Sequence, residues 1–374
     1  MTISTFADPA PAIDQTDDSG DIRDQLRQSL ETVLARHYSF EQRRDAHESE
    51  ARESAAAWSA YAELGLLALS LPEEQGGLPA AFADIAMAAE TMGGAMVLEP
   101  YIPTMVAARL IAAGATPAQQ AAWLPGIVKG RVRAALAHED DGARPVLAIR
   151  HGDGWRLRGR KLTVAGGDSA DLLIVSARLD DAIALFLVPA GAVERRAYRC
   201  FDWTGAADIL LDNVDLPNDA RLPCGEDALS AALDEATALA CADAVGSIRA
   251  ANRLTRDHTH TRRQFGRSLD SFQVLQHRLV DMLIDEAFAA AITDTAIAAC
   301  DGSDATARMR AVSAAKVRVG EAARLVGEQC VQLHGGMGLV QEYQAAHLFA
   351  RLGLFELSYG DRNHHLERYA ALTL

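Results

Sequence analysis

Between Asp21 and Gly130 the apolar positions recur three and four residues apart. "IRDQLRQSLETVLARHY" does so with large side chains and "FADIAMAAETMGGAMV" with small ones, a spacing that predicts amphipathic helices. Between these stretches lies "LALSLPEEQGGLPAA", where Pro72 and Gly76-Gly77 predict a loop joining packed helices. From 131 to 223 the period changes. "GDGWRLRGRKLTVAGG", "DLLIVSARL", "IALFLVPA" and "DILLDNVDLP" are short runs bounded by Gly, Asp and Pro, which predict strands. From 224 to the end the helical period returns in three long spans, and their Ala-rich faces carry Gly246 and Gly320, where backbones can approach closely. The pattern predicts an α+β multidomain chain: a flexible leader over 1–20, a helical domain over 21–130, a β-barrel-like domain over 131–223 and a C-terminal four-helix bundle over 224–374.

Composition narrows the function classes. A chain of 374 residues that is 49% hydrophobic can bury a large core. Its formal net charge of −15, with no Lys/Arg-rich run, disfavours phosphate backbones and anionic lipid heads, so neither nucleic acid nor membrane is expected as a partner. The five cysteines are widely separated, without a C-x-x-C pair, which predicts free thiols in a reducing cytoplasm. The first residues carry neither a basic start nor an apolar run of signal-peptide length.

Two local patterns carry chemistry. In "RRQFGRSLDSFQVLQH", Arg262 offers a forked pair of donors for a pyrophosphate, Phe265 a face for an adenine and Gln273 an amide for a phosphate or ribose edge. In "QLHGGMG", Gln332 precedes Gly335 and Gly336, whose missing Cβ atoms let backbone N–H groups approach a ligand. Singly, these fit a solvated Arg, a core Phe and a helix C-cap. In this order and spacing, together with the helical, β and helical thirds, they make the chain from about Arg23 to Tyr369 resemble the acyl-CoA dehydrogenase family of flavoproteins. The resemblance implies FAD as cofactor, an acyl-CoA as substrate, an electron-transferring flavoprotein as acceptor, and an oligomer in which the two motifs hold the adenosine and pyrophosphate end of a neighbour's FAD.

Members of the family desaturate the acyl thioester: a carboxylate takes the α-proton while the β-hydrogen leaves as hydride to the flavin. Counted from the motifs, the usual glutamate falls on Tyr359, and the alternative glutamate of a minority falls on Ala236. A phenol with a pKa near ~10 is no replacement. Glu235 is adjacent, but one residue rotates a side chain by roughly 100° around a helix. Glu356 and Asp361 are weaker candidates. Asp234 matches a family aspartate that contacts substrate, whereas Thr237 replaces the arginine that usually follows it. His138, Thr163 and Ala165 replace residues that face the flavin ring in other members. Gly360 and Asp361 are expected near a flavin, in "GDRNHHLERYA", which resembles the ending of the small, base-less subunits of heteromeric enzymes of the pimeloyl-CoA and steroid side-chain type. The leading expectation is such a subunit in a hetero-oligomer. The alternatives are a self-sufficient homo-oligomer using Glu235 and a non-catalytic flavin-fold subunit. A metal site on His364-His365 is not expected, because adjacent helix positions diverge.

Overall fold

The computed structural model describes residues 18–373. The leader expected over 1–20 lies outside them up to residue 17, and Asp18–Gly20 already open the first helix. Six helices precede the first strand: α1 (Asp18–His37), α2 (Phe40–Glu48), α3 (Ala55–Glu63), α4 (Phe82–Gly94), α5 (Tyr101–Gly114) and α6 (Pro117–Val128). Local chemistry fixes several starts. Ser39 opens α2 and Thr116 opens α6 with capping boxes completed by Gln42 and Gln119, each satisfying two otherwise orphaned backbone donors.

The middle third holds β1 (Ala134–Ala137), β2 (Leu147–His151), β3 (Gly154–Ala165), β4 (Leu172–Leu179), β5 (Ala182–Pro189), β6 (Glu194–Arg199), β7 (Gly205–Leu216) and β8 (Arg221–Gly225). They form one sheet in the order β6-β7-β3-β2-β4-β5-β8, with β1 parallel to β4. Strands β6 and β8 are its edges, so the expected barrel-like domain is an open sheet. The continuous apolar runs of β4 and β5 have a packing reason. Leu172, Ile174, Leu185 and Leu187 face a core shared with the helices. The alternate residues Leu173, Val175, Phe186 and Val188 face a second core internal to the sheet. Both faces of these strands are therefore dry.

The last third contains α7 (Glu226–Thr261), α8 (Gln273–Asp301), α9 (Ala305–His334), α10 (Gln344–Leu357) and α11 (Arg362–Thr373). Three long helices are thus present where the period predicts them, and α10 and α11 both pack on α9. A small hairpin, β9 (Arg263–Gln264) with β10 (Arg267–Ser268), joins α7 to α8. Gly246 allows a close approach, and its partner is α4: a Cβ there would lie 1.8 Å from the Glu90 carbonyl oxygen, and one on Gly93 would lie 2.1 Å from that of Asp243. Two apposed glycines thus bring α4 and α7 together without side chains between them. Along α8, Val274, Val280, Leu283, Ile284 and Phe288 remain on the solvent side.

Buried charge ties the three thirds together. Arg43 of α2 is 1% exposed and donates to the carbonyls of Met96 (2.8 Å) and Asp202 (2.8 Å) and to Nδ1 of His347 (3.0 Å). Arg351 of α10 clasps Asp243 of α7 at 2.9 and 2.6 Å and reaches Asp202 at 3.0 Å. Asp202 belongs to the β third, so one guanidinium bridges carboxylates from two separate parts of the chain.

Candidate functional site

Where α4, α5, α7 and α10 meet the strand ends of the sheet, they enclose a cavity of about 730 Å³. Tyr359 and Ala236, the two positions at which the family's base is expected, both line it, as do Gly360 and Asp361. His138, Thr163 and Ala165 line it from the β side.

Tyr359 has a left-handed backbone (φ 55°), followed by Gly360 at φ 93°. Such a conformation in a tyrosine needs outside support. His365 supplies it: buried at 1% exposure, its Nε2–H donates to the Tyr359 carbonyl (2.9 Å), while Nδ1 faces the Ser313 hydroxyl (3.3 Å). A carbonyl only accepts, so Nε2 carries a proton. Burial, opposed by the bond to Tyr359 and reinforced by the charges of His364, Lys316 and Arg368, holds its pKa down at about 4. His365 therefore has a positioning role here. Among the described residues no group of three or more His, Cys, Asp or Glu side chains is arranged to hold a metal ion.

The depressed pKa has a consequence for acid stability. Between about pH 4 and the ordinary histidine value near ~6.5 the unfolded chain binds a proton at His365 that the folded chain does not. This part of the stability is complete above that window and is lost as pH falls through it. The expected result is a steeper loss of thermal stability from pH 6.5 to 4 in the wild type than in His365→Asn, which lacks the titration. Parallel melting curves in the two proteins would refute it.

Burial also pushes the phenol of Tyr359 up to about 12, with the charge of Asp243 adding to the effect, so it is a neutral hydroxyl at physiological pH. His138 is likewise held neutral, its pKa lowered by burial, and its ring lies nearly parallel to that of Tyr359 at 6.3 Å.

The carboxylates named from the sequence as alternatives lie elsewhere. Glu235 does not line the cavity; Arg109 of α5 clasps it at 2.8 and 2.9 Å and also reaches the Ser70 hydroxyl at 2.5 Å. Asp234, expected to contact substrate, is enclosed at 0% exposure between Arg308 of α9 (3.0 Å) and Arg368 of α11 (2.6 Å). Its charge joins three helices, and it does not line the cavity. Glu356 edges a different hollow, between α8, α9 and the start of α11. Asp361 lines the main cavity but accepts the backbone N–H of His364 (2.9 Å), as an N-cap does.

Sequence reasoning missed Glu99. It lines the cavity at 5% exposure, one oxygen receiving the Ser54 N–H (2.6 Å), while Oε2 meets no hydrogen-bond donor among the described residues. Burial pushes its pKa up to about 7, helped by the charge of Glu53, against the lowering effect of its backbone bonds and of the neighbouring Tyr38 phenol. The signal was an acid inside the apolar stretch "GAMVLEPYIPTMV". Glu53 and Asp168 line the same cavity, both raised by burial and paired with Arg133 (2.5 Å) and Arg199 (3.2 Å) respectively. Acidic side chains outnumber the arginines along the wall, which are Arg199 and Arg351.

The residues named for the adenosine end gather at another place. His258, in the last turn of α7, lies 4.3 Å from His334 at the end of α9, which sets "RRQFG" beside "QLHGG" at one end of the bundle. Phe265 and Gly266 form the two-residue turn of the hairpin with φ of 51° and 80°, and Phe265 is 88% exposed. A bulky residue in the left-handed region, displayed to solvent, is strain without an internal return. Arg262, Gln273 and Gln332 are exposed, and among the described residues their side chains make no hydrogen bond or ion pair. Gly335 and Gly336 have open space where a Cβ would stand. None of these six lines the cavity.

These observations test where FAD fits. An unpartnered guanidinium, a displayed aromatic face and uncovered glycine backbone suit an adenosine diphosphate arriving from outside the chain. The ring end suits the flavin poorly. Ala165 has no side-chain donor, Asp208 takes the Thr163 N–H at 3.2 Å, and the acidic wall disfavours the anion formed when a flavin is reduced.

Comparison with known proteins agrees with this architecture. A family model described as acyl-CoA dehydrogenase, N-terminal domain, matches residues 16–131, and one described as acyl-CoA dehydrogenase, C-terminal domain, matches 225–373. Acyl-CoA dehydrogenase FadE12 of Mycobacterium tuberculosis is 29% identical over 359 residues, covering 88% of this chain and 91% of that protein. A variant of the Tcur3481-Tcur3483 steroid ACAD superposes with a TM-score of 0.87 at 30% identity, covering 94% of this chain and 98% of that one. The ChsE4-ChsE5 complex from Mycobacterium tuberculosis does so at 0.88 and 25% identity, covering 93% and 96%.

Proposed function

Since the chain belongs to the acyl-CoA dehydrogenase family, we propose that it is the base-less component of a heteromeric acyl-CoA dehydrogenase and completes the FAD site of a sister chain. When bound, FAD supplies the redox chemistry. What this chain contributes is the binding end: Arg262 for the pyrophosphate, Phe265 for the adenine, and Gln273, Gln332 and the Gly335-Gly336 backbone around them. The single observation that carries the reading is that Tyr359 and Ala236 line one cavity at both expected base positions, one a neutral phenol and the other a methyl group. A proton acceptor for the α-carbon then has to come from elsewhere. Glu235, the candidate for a self-sufficient enzyme, is turned away and clasped by Arg109.

An oligomer is favoured by the solvent-facing apolar side chains of α8, from Val274 to Phe288. Two similar structures, the Tcur3481-Tcur3483 steroid ACAD and the ChsE4-ChsE5 complex, are each named for two components, which supports a heteromeric form here. An acyl-CoA is the proposed substrate and an electron-transferring flavoprotein the proposed acceptor.

The test is to purify the chain alone and together with a co-expressed acyl-CoA dehydrogenase-like neighbour, and to measure FAD per subunit and its reduction by an acyl-CoA. The expected result is no substrate-reducible flavin on the chain alone, and less than one FAD per subunit in the complex. One FAD per subunit on the isolated chain, bleached by an acyl-CoA, would refute the partner requirement.

A further inference from the structure

The acidic end of the cavity is an odd neighbour for a plain hydrocarbon. Glu99 is buried with an unpartnered oxygen, and Glu53 and Asp168 line the same space. Those two have arginine partners; Glu99 has none. Its surroundings are the Ser54 N–H, the carboxyl of Glu53 and the phenols of Tyr38 and Tyr61. The Tyr61 hydroxyl is itself buried without a partner. Ala236, Ala240 and Asp243 line the cavity at successive turns of α7 for about 10 Å, comparable with a medium-length acyl chain.

We infer that the Glu99 end of this cavity receives a hydroxyl carried by the far part of an acyl group, and discriminates against both a bare methyl end and a terminal carboxylate. A hydroxyl is matched because Glu99 Oε2 accepts its proton in a hydrogen bond. A methyl end leaves that buried oxygen unpaired, which sites with polar groups penalise. A carboxylate meets three acids held by two arginines, and like charges at low dielectric repel. The inference rests on the proposed acyl-CoA ligand, but on neither turnover in this chain nor the identity of its partner.

The test uses three probes of matched length: octanoyl-CoA, its ω-hydroxy derivative and its ω-carboxy derivative. Their binding is measured by calorimetry on the full chain in its assembled form, as wild type, Glu99→Gln and Glu99→Leu. In the wild type the hydroxy ester is expected to bind about tenfold or more tighter than octanoyl-CoA, with the carboxy ester weakest. Glu99→Gln keeps an acceptor oxygen and should keep the hydroxyl preference. Glu99→Leu should reverse it in favour of octanoyl-CoA. If the order among the probes is indifferent to Glu99, the carboxyl only holds a structural water beside Tyr61 and the inference falls. If none of the three thioesters binds to the wild type, the acyl-CoA reading itself falls and takes the inference with it.

Discussion

Replacing Arg351 with Met is expected to lower the stability of the folded chain by about 3–5 kcal/mol, the usual cost of leaving buried charge without its counter-ion. Asp202 is 1% exposed, and Asp243 has both oxygens taken by Arg351. Asp202 keeps the N–H and hydroxyl of Thr204 (2.9 and 2.6 Å), so the larger part of the loss falls on Asp243. Arg351 also donates to the Val97 carbonyl at 3.2 Å, in the segment between α4 and α5. Its removal therefore loosens the helical third from the sheet and the bundle together. Adding Asp243→Asn to Arg351→Met should recover part of the loss, because the amide has no charge to desolvate. The check is chemical denaturation of wild type, single and double variants. A single variant within 1 kcal/mol of wild type, or a double variant no better than the single, would show that the cluster is not holding the thirds together.

That cluster shows where the sequence stopped being readable. The helices of the first and last thirds follow from the spacing of their apolar residues, and β4 and β5 from their unbroken runs, which packing explains because each face meets its own core. The stretch "RRQFG" was legible as a binding motif but not as a turn; the hairpin at Phe265-Gly266 came from the structure. Roles set by long-range pairing were not. Asp234 matches a substrate-contacting residue in the alignment of motifs, yet Arg308 and Arg368, 74 and 134 positions away, take both its oxygens. Glu235 meets Arg109 across 126 positions. Periodicity gives a side chain's direction around its own helix but says nothing about which arginine waits there. Glu99 escaped for the same reason: its burial is made by Ser54 and two tyrosines of other segments, none of which marks it in the local pattern.

Displaying Phe265 in a left-handed conformation costs the free chain on the order of 1–2 kcal/mol, and among the described residues its recorded ring contact is the edge of Phe272 at 6.2 Å. On the proposed function the ring meets a ligand that offsets this cost, and that sets the second large effect. In the complex with its sister chain, Arg262→Ala is expected to weaken FAD retention by about 10–100-fold, because it removes a forked, charge-assisted contact to the pyrophosphate. Activity should fall in proportion to the flavin lost and return when excess FAD is added. Phe265→Asn separates strain from binding. Asparagine tolerates the left-handed region, so the isolated chain should become more stable while the complex loses flavin. A purely structural hairpin would give the opposite pairing: no change in flavin content, and lower stability from the lost aromatic contact. If the assembled complex keeps full turnover and full flavin with Arg262→Ala, the chain is a scaffold rather than half of a cofactor site. The base-less cavity at Tyr359 and Ala236 would then describe a subunit that has left catalysis altogether.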